Sequence, residues 1–262
     1  MANFSSQAPG GFLPPTLPSP PASSVTSSTL TASLPVPRGA PLKPGSSKES
    51  NFINYVDRAI LEITRRFAKK FSGGAEGQGG DGVKGYESFR EVGRDIEKLV
   101  DVVWVSRTPS LQTPYLLSLA LLVVTYLPSF PAAPRATFSL LHKLDLAFSS
   151  LIQGRDAETG EALPGVEGSR GALSTTEKVR IKSLVERTRI VVVETIRHQE
   201  YEEEDEEEDA EDSPTEAETA DEDFDHPGAE GERWEMEVAR VYDRTLVELG
   251  ESLGSGGDGG LG

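Results

Sequence analysis

Apolar side chains recur along this chain at three- and four-residue steps in successive stretches, the period that buries one face of an α-helix. The first stretch carries Ile53, Val56, Ile60, Ile63, Phe67 and Phe71, with Asn51 as the expected N-cap. A glycine-rich segment, residues 72–85, follows and reads as a flexible connector. The second stretch carries Phe89, Val92, Ile96, Leu99 and Val103, with Trp104 close by, and predicts a helix from about Glu87 to Ser106.

The third stretch, TPYLLSLALLVVTYLP, is apolar on all sides. Thr113 is its expected cap, Pro114 suits the first helical position and Pro128 stops it. The 13 residues between these prolines fall short of the ~20 that a membrane span requires. The segment is therefore expected to be the central buried helix, and membrane association through residues 114–127 is the alternative. A fourth helix, from about Pro134 to before Gly154, presents Phe138, Leu141, Leu144, Phe148, Leu151 and Ile152.

Ser174–Glu177 reads STTE, a capping box in which hydroxyl and carboxylate each satisfy an orphan backbone amide. The fifth helix then carries Val179, Ile181, Leu184, Val185, Thr188, Val191, Val192 and Ile196. Its β-branched run Ile190–Val193 could be read as a strand, but the cap and the longer period favour helix. A last amphipathic stretch, Glu232 to about Leu249, aligns Trp234, Val238, Val241, Tyr242, Thr245, Leu246 and Leu249, with Gly250 as its stop.

These patterns predict an all-α fold: a compact antiparallel helical bundle of five to six helices, with a disordered N-terminal arm and an acidic linker. The expected divisions are a Pro/Ser-rich arm over residues 1–49, a helical core over 50–198, a linker over 199–231, a C-terminal amphipathic helix over 232–250 and a Gly-rich tail over 251–262. The arm holds ten of the eighteen prolines, which deny it helix and sheet. Its PTLP, PSPP and PLKP sequences are PxxP-like and fit polyproline II. The N-terminus shows no basic start followed by an apolar run, so a secretory signal is not expected.

Charge changes the picture of the linker. The chain carries 43 acidic and 26 basic side chains, and residues 200–225 hold 17 of the acids and no Lys or Arg. The remainder is balanced, so the low isoelectric point describes one tract. Such a block stays solvated and can capture a basic partner. Ser213, Thr215 and Thr219 each have an acidic residue three positions on, the pattern of an acid-directed kinase.

Candidate chemistry is sparse. The chain lacks cysteine, which removes disulfides and thiolate nucleophiles. His142, His198 and His226 are its three histidines, and none has ligand spacing on a helix. The glycine-rich segment lacks the GK[ST] ending of a phosphate-binding loop. No enzyme activity, cofactor, metal or small-molecule substrate is expected. Basic residues line the first helix at Arg58, Arg65 and Lys69, with Arg66 and Lys70 beside them. The fifth carries Lys178, Arg180, Lys182, Arg187 and Arg189. No nucleic-acid-binding motif accompanies them, so they read as solvated faces onto which the acidic tract folds back.

The stretch from NFINYVDRAILEITRRFAKKF through GYESFREVGRDIEKLVDVVWVSRTPSLQTPYLLSLALLVVTYLPSFP to STTEKVRIKSLVERTRIVVVETI, residues 51–198, resembles a family of filamentous-fungal helical proteins loosely labelled meiotic recombination protein. The label implies a RecA-like strand-exchange ATPase. The chain departs from that fold, lacking both its GxxxxGK[ST] loop and its alternation of strands and helices. No functional residue carries over.

The expected function is a non-enzymatic adaptor or scaffold that binds other proteins in the nucleus or cytoplasm. The candidate partner-binding residues are Trp234, Val238, Val241 and Tyr242 on the last helix and Arg58, Arg65 and Lys69 on the first. The alternatives are an acidic, chaperone-like binder of histones or other basic proteins, and the membrane association named above.

Overall fold

The computed structural model describes residues 33–71, 84–163, 173–198 and 229–254. Among them are seven α-helices: α1 (Ser47–Lys70), α2 (Phe89–Val105), α3 (Pro109–Tyr126), α4 (Pro134–Gln153), α5 (Thr175–His198), α6 (Ala229–Arg240) and α7 (Asp243–Gly254). A 3-10 turn, Leu127–Ser129, continues α3. The described residues contain no strand beyond an isolated bridge between Arg155 and Ala162. The all-α expectation holds. The count exceeds the expected five to six because the last stretch forms two helices.

The centre of the fold is α4. From Phe138 to Ile152 only Ser139 and His142 are even half-exposed. Hydrophobic side chains do not explain this alone, since Lys143, Asp145, Ser149 and Ser150 are buried too. Each has a partner. Lys143 reaches α2, where Glu97 lies at 2.8 Å and Asp101 at 3.0 Å. The Ser149 and Ser150 hydroxyls donate to the Leu146 carbonyl. Gly154, left-handed at φ 72°, ends the helix. Placing the third helix at the centre is thus corrected: α3 buries Leu116, Leu119, Ala120 and Val123 but exposes Ser118, Leu121 and Thr125. A helix apolar on all sides need not be enclosed; the number of packed neighbours decides.

The α3 boundaries also differ from the expected ones. Pro109, not Pro114, occupies the first helical position, and Pro114 lies inside the helix. Beyond the first turn a proline costs the helix one amide-to-carbonyl bond, here the one that would reach the Ser110 carbonyl. The Thr113 hydroxyl donates to the Pro109 carbonyl at 3.0 Å and caps nothing. As a result Pro109–Ser129 is long and apolar enough to cross a bilayer by length and composition, with half of it buried in the protein.

Around this centre, α1 packs against α2 through Arg66. Its guanidinium meets Asp95 at 2.6 Å and Glu91 at 3.0 Å and lies 3.9 Å over the Tyr86 ring. Tyr86 donates to Asp95 at 2.9 Å. Phe67 stacks on Tyr126 of α3 at 3.6 Å. The helix starts at Ser47, where the Ser46 hydroxyl accepts the Glu49 amide, so Asn51 is not the cap. Gly85 brings the chain back against this helix; a Cβ there would stand 3.0 Å from the Lys70 amide nitrogen.

The residues before α1 run along the core. Leu42, inside the PLKP sequence, is buried and donates its amide to the Thr108 hydroxyl at 2.9 Å. Arg107 donates to the Arg38 carbonyl at 2.9 Å. Within PLKP, Leu42 is thus engaged in the fold, whereas Pro41, Lys43 and Pro44 are exposed. PTLP and PSPP lie outside the described residues, as does the acidic tract. The Ser174–Glu177 capping box forms as expected, with amide-to-side-chain contacts of 2.8 and 3.3 Å, and the β-branched run stays helical within α5.

Candidate partner interface

The last apolar stretch is interrupted because Tyr242 adopts a left-handed backbone conformation, φ 58°. That conformation is uncommon for a side chain of this size, and the surroundings hold it. Arg189 of α5 donates to the Val241 carbonyl at 2.7 Å. The Asp145 carboxylate of α4 accepts the amides of Arg244 and Thr245 and the Thr245 hydroxyl, at 3.3, 2.8 and 2.6 Å. Asp145 thereby serves as an N-cap for α7 supplied by another helix, at the end where a negative charge is favoured.

The candidate residues of this stretch face inward. Trp234 stacks on Phe138 at 5.7 Å. Val241 and Tyr242 are buried, and Val238 packs against the same cluster. In the fold this stripe packs on α4 and α5, with Trp234, Val241 and Tyr242 buried and Val238 half-buried. Beside it lies an open cleft of about 320 Å³ between α4 and the α6–α7 corner, which includes His142, Asp145, Arg240 and Arg244. Burial, with repulsion from Arg244, lowers the His142 imidazole below its ordinary value. Burial raises the Asp145 carboxyl, and the Thr245 and Arg244 hydrogen bonds partly offset it. Burial likewise raises the Tyr242 phenol. Sequence reading missed Asp145; the available signal was an acid inside the apolar run Leu144–Asp145–Leu146, where a buried charge requires a partner.

On α1, Arg58 and Arg65 are exposed and Lys69 is half-buried. Arg66 is committed to α2, and the Lys70 ammonium lies 4.2 Å over the Phe130 ring. Ser213, Thr215 and Thr219 lie outside the described residues.

The outer face of α3 presents a different surface. No charged residue occurs from Thr108 to Pro134. Ser118, Leu121 and Thr125 share its exposed side. The Ser118 hydroxyl donates to the Pro114 carbonyl at 2.9 Å and the Thr125 hydroxyl to the Leu121 carbonyl at 2.8 Å. Because these donors are satisfied within the helix, covering the face strands few polar groups. Tyr115 at its edge donates to Asp57 at 2.8 Å, and burial with that bond pushes its phenol up to about 12. A charge-poor helix face of this kind has the composition of an interface core.

The family model for TFB6, subunit 11 of the general transcription factor TFIIH, matches residues 85–250. An uncharacterised protein of Schizosaccharomyces pombe is 28% identical over 143 residues, covering 53% of this chain and 74% of its own length. No solved structure matches. The family match spans α2 to α7 up to Gly250, leaving α1 with Arg58, Arg65 and Lys69 outside it. Neither name refers to meiotic recombination.

Proposed function

The chain belongs to the TFB6 family, subunit 11 of the general transcription factor TFIIH, and from that premise we propose that it is a non-catalytic helical subunit of such a complex, acting in the nucleus. The family match across α2–α7 carries this reading. The uncharged α3 face supports it, because Leu121 and its neighbours offer a partner subunit a surface that is cheap to desolvate. The C-terminal helices serve this role indirectly, by holding α4 and α5 in place under α3.

Affinity purification of the tagged chain from nuclear extract at moderate salt, followed by mass spectrometry, tests the reading. Recovery of transcription-factor subunits in a defined complex is expected. Recovery of histones alone, lost as salt rises, would replace it with the basic-protein binder. The membrane alternative is disfavoured by packing: Leu116, Leu119 and Val123 belong to the buried core, so inserting α3 in a bilayer would take that core apart.

A further inference from the structure

We propose that the outer face of α5 is the docking site for this chain's own run of acids, Glu202–Asp209, which folds back along the edge marked by Arg180 and Arg187. At about 100° per residue these two arginines, seven residues apart, share one edge, and Val179, Ser183 and Ile190 run down the middle of the exposed side. Arg180, Lys182, Arg187 and Arg197 are exposed, and none forms an ion pair among the described residues. The helix also holds three acids. Glu177 is engaged with Ser174 in the capping box. Glu186 lies one turn from Lys182, and Glu194 one turn from Arg197. Arg187 has no acid one turn away in either direction. Arg189, on the opposite edge, donates to the Val241 carbonyl and marks the side of α6 and α7. The helix packs on α3 and the 3-10 turn as well, and neither holds a charged residue. The Arg180–Arg187 edge thus carries positive charge that its neighbours do not neutralise, and planar guanidinium groups suit carboxylates.

Chain length selects the occupant. Every residue from Glu202 to Asp209 is acidic, and Glu202 follows the last residue of α5, His198, by four. Extended, that run covers ~26 Å. The helix from His198 back to Arg180 covers ~27 Å, so a run that reverses at residues 199–201 ends beside Arg180. The return is also long enough. Residues 210–228 reach roughly 60 Å when extended. The Arg189–Val241 contact holds the end of α6 against α5. The path from Arg180 along α5, across that contact and back along α6 to Ala229 is about 40 Å. A short tether gives effective concentrations of order mM, so nucleic acid phosphates would meet these arginines only by displacing the run. The sequence pattern left α1 and α5 as equal counter-surfaces, and the fold separates them. On α1, Arg66 and Lys70 are engaged, and Glu62 lies one turn from both Arg58 and Arg65.

The absence of cysteine makes a clean test possible in the full chain. Ala210→Cys carrying a spin label should attenuate the amide signals of Val179 and Ser183 more than those of Glu194 and Arg197. A run that is tethered but undocked gives the opposite order, because its attachment point is the end of α5. At about 1 M salt, where the screening length is ~3 Å, the order should reverse. It should also reverse at low salt in the labelled chain carrying Arg180→Glu and Arg187→Glu. If that variant does not fold, replacing the acids of residues 202–209 by their amides, Glu→Gln and Asp→Asn, should give the same reversal on an unaltered helix. Attenuation strongest at Arg197 in the unaltered helix at low salt overturns the assignment. So does attenuation centred on Arg58 and Arg65 or on Arg94, or a pattern that salt leaves unchanged.

Discussion

Asp145 on α4 is joined to Thr245 on α7 by the Thr245 amide, which donates to its carboxylate at 2.8 Å, and by the Thr245 hydroxyl, which reaches the carboxylate at 2.6 Å and the Asp145 carbonyl at 3.3 Å. This pair sets where the C-terminal segment turns. Replacing Asp145 with Ala orphans the Thr245 amide and hydroxyl and the Arg244 amide. A cost of about 2–3 kcal/mol is expected. Asp145→Asn keeps an acceptor and removes a charge that burial disfavours, so it should cost less. Urea unfolding of both variants, with hydrogen exchange on α7 amides, checks the order.

Trp234→Ala empties the site against Phe138 and should destabilise the domain by ~3–5 kcal/mol, the range for a buried large aromatic. An unchanged unfolding midpoint would mean that α6 is not docked in solution.

Lys143→Met leaves Glu97 and Asp101 facing each other without their shared cation. Both carboxylates are about one-third exposed, so the loss should fall below that of a fully buried pair, at about 2 kcal/mol. Adding Glu97→Gln to that variant should recover part of it. Burial pulls the Lys143 ammonium down, but the hydrogen bonds to the two carboxylates outweigh it and hold the group above its ordinary range, so it is charged throughout the measurement.

His142 gives a pH signature. Its imidazole is lowered in the folded protein from the ordinary 6.5. The unfolded chain therefore takes up this proton first. The site's contribution to stability is complete above that ordinary value and is lost as pH falls through the lowered folded value. The difference in unfolding free energy between wild type and His142→Gln should shrink on acidification from about pH 7 to about pH 5. A constant difference would show that His142 is not shielded by α6 and α7.

Helix existence was legible because burial here follows a 3.6-residue period, and Phe89, Val92 and Ile96 fell where the pattern put them. The capping box at Ser174–Glu177 was legible for the same local reason. The division of the last stretch into α6 and α7 was not, because the turn at Tyr242 is held by Asp145 and Arg189, far away in sequence. The rank of α3 and α4 was also hidden. Composition favours α3 as the centre, whereas α4 takes it by pairing Lys143 and Asp145 with distant partners. Of the candidate interface, the sequence showed the uncharged run but not which side of it the fold leaves open.

The central claim is that this chain joins a multisubunit complex through the open face of α3. Parallel purification of tagged wild type and Leu121→Asp from nuclear extract tests it most directly, with thermal unfolding of both as the folding control. Leu121 is half-exposed at 46%, so the variant should fold with a nearly unchanged midpoint and lose the co-purifying subunits. Retention of the full complex by a folded Leu121→Asp chain would contradict the account.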